Sequence, residues 1–465
     1  MPYTVGTLLL PAKLVLIKAL KQPQTYELVV WITLRIVTVL FGIATIFLVY
    51  LLGNKLFEPA AGALAALFVS VSFYHAMNSA VGTLDVPLSC LLSFQLWLAC
   101  RVLKSARIFD YVLLGAASAL LLGTKLAAAP FFLFPVLITF FDEPDKAALP
   151  VGRRLGLVLV YVFAAALFFS LLHPHLLLDP GKYIHWYTNE IYAWVDPRSR
   201  HLADIPWRFI HGTAIAAGWP LLPIALLGIL TQLHPRRTYK LCLLACVAAY
   251  YWMFCWFLAP RYIIPIAPIL CLFAAGFCIS LIRHQRIYFR TAGIAAAGVI
   301  FIYSLVSCLL GLWIRFHDTR PLAIRYLAAA LKPGTTVGFS SVSEKYPWST
   351  HRWRYPWVDL KSVREVPLSQ QPEVFIVTAE DIEQMAQALH SPHLLPGYQW
   401  DPAWDFTWYR HSPPSPALFR FYEAFLENNN PYVLDKVFEV AVPVPIELPP
   451  PQIRIYKKTG GGKLL

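Results

Sequence analysis

The chain has 465 residues, 58% hydrophobic and 14% charged, with 39 Lys and Arg against 26 Asp and Glu for a net charge of +13. Soluble domains carry roughly 25% charged and about 45–50% apolar residues. A mean hydropathy of +0.55 therefore excludes a soluble enzyme, a disordered chain and a nucleic-acid-binding module, and leaves a polytopic membrane protein.

Residues 1–27 carry no cleavable leader pattern. Pro11 interrupts them, Lys13, Lys18 and Lys21 charge them, and they read as an interfacial helix followed by a loop remnant. Apolar runs then fall near 28–52, 60–80, 85–103, 110–125, 127–142, 155–172, 208–232, 240–258, 262–283 and 290–315. At roughly 20 residues per crossing, they predict a helical bundle of about ten spans over 28–316. The basic connectors are 101–107, Lys146 with Arg153 and Arg154, 234–240 and 283–290. Counting spans between them puts all four on one side, which the positive-inside rule makes cytoplasmic. The opposite, exoplasmic face then receives 173–207, the link 259–261 and everything after 315.

Residues 317–465 change character. Lys332-Pro333-Gly334 is a turn signal, 373–378 reads as a strand, 380–390 as a polar helix, and 451–456 as a second strand. The fold class is thus a mostly α membrane bundle with a small C-terminal α/β domain facing the exoplasm. The eight cysteines (90, 100, 242, 246, 255, 271, 278 and 308) all lie in apolar runs and read as packing residues.

Ionisable groups at membrane depth are expensive and mark candidate sites. Asp85, in the stretch 81–88, is the only acid between Glu58 and Asp110. With Pro87 after it, Asp85 reads equally as a helix N-cap and as a carboxylate facing a site. The loop from His173 through His175, Asp179, His185, Trp186, Tyr187 and Glu190 fits an interfacial aromatic belt, or a pocket that stacks sugar rings. His173 and His175 are two residues apart and share no helix face, which argues against a metal pair. Arg261 with Tyr262 begins an apolar run, as a snorkelling anchor or a phosphate fork. Arg35 lies buried within the 28–52 run and Lys125 at a hairpin tip; with Arg261 they could cradle an anionic lipid headgroup.

Several stretches together resemble the GT-C class of membrane glycosyltransferases, specifically the protein O-mannosyltransferase and aminoarabinose-transferase type. They are Arg35 with Gly42, then 52–66, Thr83–Pro87, Leu121–Ala128, Pro260–Pro265, Asp318–Ala323 and the closing 451–456. The resemblance implies a sugar donor on a polyprenyl phosphate, a lipid or protein acceptor, and inverting transfer at the exoplasmic face of a bacterial inner membrane. It implies a catalytic role for Asp85 and donor-phosphate binding by Arg261, Tyr262, Lys125 and Arg35. Sugar contacts would fall to His173, Asp179, Trp186 and Tyr187. No cofactor is certain, and a divalent metal is the one candidate; membrane lipids are partners and nucleic acid is not. The resemblance also implies a first span and an acidic loop ahead of residue 27, yet residues 1–26 contain no Asp or Glu. Two readings stay open: a start codon placed too late, which is favoured, or a degenerate paralogue inactive as it stands. The alternatives to an enzyme are a secondary transporter, against which the missing inverted repeat counts, and a non-catalytic membrane scaffold.

Overall fold

The computed structural model describes residues 23–105, 107–125, 128–140, 149–181, 205–232, 237–254, 260–317, 319–332, 335–339, 357–359, 373–378, 432–439 and 452–458. The chain divides into two compact units, Met1–Leu309 and Leu310–Leu465.

The first unit is helical. α1 (Pro23–Leu56) turns back into α2 (Pro59–Ser70), and α3 (Phe73–Ser79) follows at a bend of 62°. Next come α4 (Asp85–Ser105), α5 (Ile108–Thr124), the short α6 (Ala129–Phe132) and α7 (Phe134–Phe140), α8 (Val151–Leu172) and α9 (Pro174–Leu178). α10 (Ile205–Ala217) and α11 (Leu221–Thr231) meet at 106°, measured over 210–217 and 221–231. α12 (Arg237–Phe254), a 3-10 helix η1 (Pro260–Ile266), α13 (Ala267–Ile282) and the long α14 (Ile287–Phe316) complete the series. The apolar runs thus fold as helices of an integral membrane protein, although length divides them differently. Among the described residues five helices are long and apolar enough to cross a bilayer, or up to seven if each bent pair is one span. Hydropathy counts apolar residues and is blind to a bend. Gly218, at φ 102°, supplies the second one, a left-handed conformation that a side chain rarely adopts.

Burial sorts the helices into layers. The span 262–282 is 83% buried and that of α4 78%, whereas those of α8 and α14 are each 22% buried. The inner pair forms the core; the outer helices turn side chains such as Leu159, Phe163 and Ile302 outward, as lipid contact requires. Close crossings need small residues: a Cβ on Gly53 of α1 would stand 2.4 Å from the Gly62 Cα of α2. Charges gather at helix ends, with Arg283 Nη1 2.6 Å from Glu58 Oε2 and Arg101 Nη2 3.0 Å from Asp110 Oδ1. The seven described cysteines are free thiols, six of them buried.

The second unit carries α15 (Thr319–Ala330) and a five-stranded sheet of β1 (Val337–Phe339), β2 (Trp357–Asp359), β3 (Val374–Thr378), β4 (Tyr432–Phe438) and β5 (Ile453–Lys458). The order is β2-β1-β3-β5-β4, with β1 parallel to both β2 and β3, and β5 antiparallel to β3 and β4. Its core joins Ala323 and Leu327 of α15 to Val337, Val374, Ile376, Ile453 and Ile455. Both strands read from the sequence are present; the expected helix at 380–390 and residues 1–22 lie outside the described residues.

Candidate functional site

Asp85 is the first residue of α4, where a carboxylate is favoured by the unpaired N–H groups and the helix dipole. The preceding turn needs Gly82, at φ 78°, and it packs on the α1 backbone: a Cβ there would lie 3.9 Å from the Arg35 nitrogen. Thr83 and Asn78 approach at 3.5 Å across the same turn, and Asn78 Nδ2 donates to Tyr74 O at 2.8 Å, which ties the turn to α3.

Lys125 arrives from a different helix. It is the C-cap of α5, with an extended backbone at φ −159° and its N–H still bonded to Leu121 O. Pro130 in the first turn of α6 keeps the two helices separate. That break aims Lys125 at Asp85, and Nζ donates to Oδ1 at 2.7 Å. The carboxylate side chain is 6% exposed and the ammonium-bearing one 25%. Asp85 therefore does more than cap a helix: it holds a charge partner 40 residues away.

The third member comes from η1. Lys125 Nζ stands 4.0 Å from the centroid of the buried Tyr262 ring, a cation–π contact. Two buried hydroxyls fasten η1 beneath it: Tyr250 Oη donates to Tyr262 O at 2.7 Å, and Ser89 Oγ to Ile264 O at 2.9 Å. Neither Tyr250 nor Ser89 is legible as a site residue in the sequence. One signal existed, since Ser89 is four residues after Asp85 and so on the same face of α4.

The remaining candidates separate. Arg261 is in η1 next to Tyr262, and its side chain lies outside the described residues. Arg35, expected to be buried, is exposed on α1, although its backbone adjoins the Gly82 turn. An exposed arginine in an apolar helix keeps its head in water by reaching to the membrane interface. His173, the C-cap of α8, is buried with its ring 4.5 Å from that of Phe169. Asp179 is exposed after α9, while Trp186 and Tyr187 lie outside the described residues. Among the described residues no group of three or more His, Cys, Asp or Glu could hold a metal ion. Among the described residues, the charged pair around Asp85 is one carboxylate facing an ammonium.

An ammonium on an aromatic face, held by a carboxylate at a helix start and one-quarter exposed, can bind an anionic oxygen by exchanging partners. The carboxylate it releases is then an acceptor for a hydroxyl proton.

Residues 29–178 match the family described as dolichyl-phosphate-mannose-protein mannosyltransferase, which is about a third of the chain. No curated protein matches. Among solved structures, the chain is similar to ArnT from Cupriavidus metallidurans bound to undecaprenyl phosphate, at 13% identity and TM-score 0.47, over 76% of this chain and 80% of that one. It is similar to AglB, the oligosaccharyltransferase of Archaeoglobus fulgidus in complex with an inhibitory peptide and a dolichol-phosphate, at 12% identity and TM-score 0.47, over 92% and 77%. A third is the arabinofuranosyltransferase AftD from Mycobacteria, at 12% identity and TM-score 0.37, over 93% of this chain and 35% of that one. At these scores the structural likeness assigns no residue a role. The family match supports the GT-C glycosyltransferase resemblance for the stretch that contains both Asp85 and Lys125.

Proposed function

We propose that the chain is a GT-C type glycosyltransferase that moves a sugar from a polyprenyl-phosphate donor to a hydroxyl on a lipid or protein acceptor, at the exoplasmic face of a bacterial inner membrane. The observation that carries this reading is the Lys125–Asp85 pair on the Tyr262 ring, built where α4, the end of α5 and η1 meet inside an apolar bundle.

The acceptor oxygen attacks the anomeric carbon while the bond from that carbon to the phosphate oxygen breaks, with inversion. The electron pair stays on the polyprenyl phosphate, which gains one negative charge, and the acceptor proton passes to a carboxylate. Lys125 stabilises the departing phosphate, because a fixed cation in a water-poor site lowers the cost of charge that develops in the transition state. Arg261, one residue from Tyr262, is the second cation. Asp85 takes the proton once the phosphate has drawn Lys125 away from it. Lys125 has three N–H donors, and a phosphate oxygen competes with Asp85 for the ammonium that Asp85 holds at 2.7 Å.

The test is transfer from a radiolabelled polyprenyl-phosphate sugar by the chain reconstituted in vesicles, counted in lipid and protein fractions. Label is expected in one fraction, with the K125Q rate lower by about a hundredfold. Absence of transfer, together with equal binding of polyprenyl phosphate by wild type and K125Q, overturns the reading.

A further inference from the structure

A 3-10 helix lacks the α-helical hydrogen-bond ladder, and η1 contains Pro265, which has no N–H to donate. Two of its carbonyls, Tyr262 O and Ile264 O, take their bonds from outside, from Tyr250 of α12 and Ser89 of α4. Both donors are almost wholly buried, at 1% and 0% exposure. Ser89 and Asp85 stand one turn apart on α4, so one helix face holds the Lys125 ammonium and, one turn deeper, the backbone of η1.

We infer that Ser89 and Tyr250 are positioning residues of the donor-phosphate site. Together they fix the height and rotation of η1, so that the Tyr262 ring stays beneath Lys125 while the ammonium changes partner from Asp85 to phosphate. The inference deepens the glycosyltransferase reading and rests on it for the identity of that phosphate; the placement of Tyr262 under Lys125 stands without it. Neither hydroxyl acts on substrate. Each acts through a carbonyl of η1, and a site residue displaced by about 1 Å costs on the order of a hundredfold in rate.

The bundle supplies a matched control. Tyr239, also on α12, donates to Leu96 O of α4 at 2.8 Å, the same buried phenol-to-carbonyl bond without η1. The experiment compares S89A, S89T, Y250F and Y239F in the full chain in nanodiscs, with two readouts. The first is the rate at which an amine-acylating reagent labels Lys125, followed by mass spectrometry, which needs no donor. The second is the transfer rate from the labelled polyprenyl-phosphate sugar. Faster Lys125 labelling by severalfold is expected in S89A and Y250F, as the ring leaves the ammonium, with transfer slowed about ten- to a hundredfold. S89T keeps the hydroxyl and restores both values, and Y239F melts earlier with labelling and transfer unchanged. If Y250F and Y239F shift labelling alike, or S89A leaves it at the wild-type rate, the positioning role is overturned. If labelling separates the variants as expected but wild type transfers no sugar, the positioning stands and the glycosyltransferase reading fails.

Discussion

The chain builds the same trio twice, in opposite surroundings. In the membrane unit, Lys125 joins Asp85 at 2.7 Å and lies over the Tyr262 ring at 4.0 Å. In the α/β unit, Lys457 joins Asp435 at 3.0 Å and lies 5.8 Å from the Tyr326 ring, while Tyr326 Oη donates to Asp435 Oδ2 at 2.5 Å. The carboxylate is 6% exposed in the first and 24% in the second, and the lysine 25% against 40%. Water is the difference. Around Asp435 it screens both charges and competes for each bond, so the trio fastens an edge of the sheet and little more. Around Asp85 each charge depends on its partner, so an incoming anion has a strong reason to take Lys125.

The largest expected effect breaks the buried pair. Lys125→Met alone leaves the buried Asp85 carboxylate facing no ammonium and costs about 3 kcal/mol, read as thermal unfolding in detergent; Asp85→Asn costs less, because the Lys125 side chain is one-quarter exposed. The double variant D85N/K125M strands nothing and recovers most of that stability while remaining without transfer activity. A double variant no better than K125M would show that the pair's charges are met elsewhere. The two single variants also part on ligand binding. D85N removes the competitor for Lys125 and tightens polyprenyl phosphate, whereas K125M weakens it; weaker binding in D85N would make Asp85 a holder of Lys125 rather than its resting partner. In the other trio, Asp435→Asn costs less than about 1 kcal/mol, because Lys457 returns to water. An equal loss at both sites would erase the contrast drawn above.

The membrane class, the helices and two inner strands of the sheet, β3 and β5, were readable because hydropathy and turn chemistry are local. So was the suspicion attached to Asp85, Lys125 and Tyr262, since ionisable and aromatic residues at apolar-run ends are conspicuous. Their meeting was not readable. It depends on the extended C-cap at Lys125, the Gly82 turn and the tilt of a 3-10 segment, all set by packing between helices far apart in the chain. Arg35 went astray for a related reason: a cation inside an apolar run fits a buried partner and a lipid-facing surface equally well, and periodicity does not choose between them. Tyr250 was hidden among 23 tyrosines, with nothing local to mark the one whose hydroxyl meets η1.

The smallest effect is the pH response of the exposed trio, and its sign follows from the bonds. A bulge between Leu434 and Lys436 displaces Asp435 from the β4 register, and its carboxylate meets Tyr326 and Lys457. Burial pushes the Asp435 carboxyl up, but hydrogen bonds from Tyr326 and Lys457 and the charges of Lys457 and Lys436 outweigh it and hold it below the ordinary value. A depressed acid stabilises the fold above its unfolded pKa, about 3.9, and loses that contribution as pH falls through its folded value. The bond to Asp435 raises Lys457, and the same carboxylate raises Tyr326 by accepting its proton in a hydrogen bond. Raised groups act in the other direction: their contribution is complete below their unfolded values, near 10, and is lost as pH climbs through the folded ones. Amide exchange of β4 and β5 in the full chain should therefore be slowest, relative to intrinsic rates, on a plateau between about pH 5 and 9, and faster on either side. Asp435→Asn removes the acid limb and flattens the alkaline one, because Lys457 and Tyr326 lose the charge that raised them. An acid limb that survives in D435N would mean that another carboxylate fastens this edge.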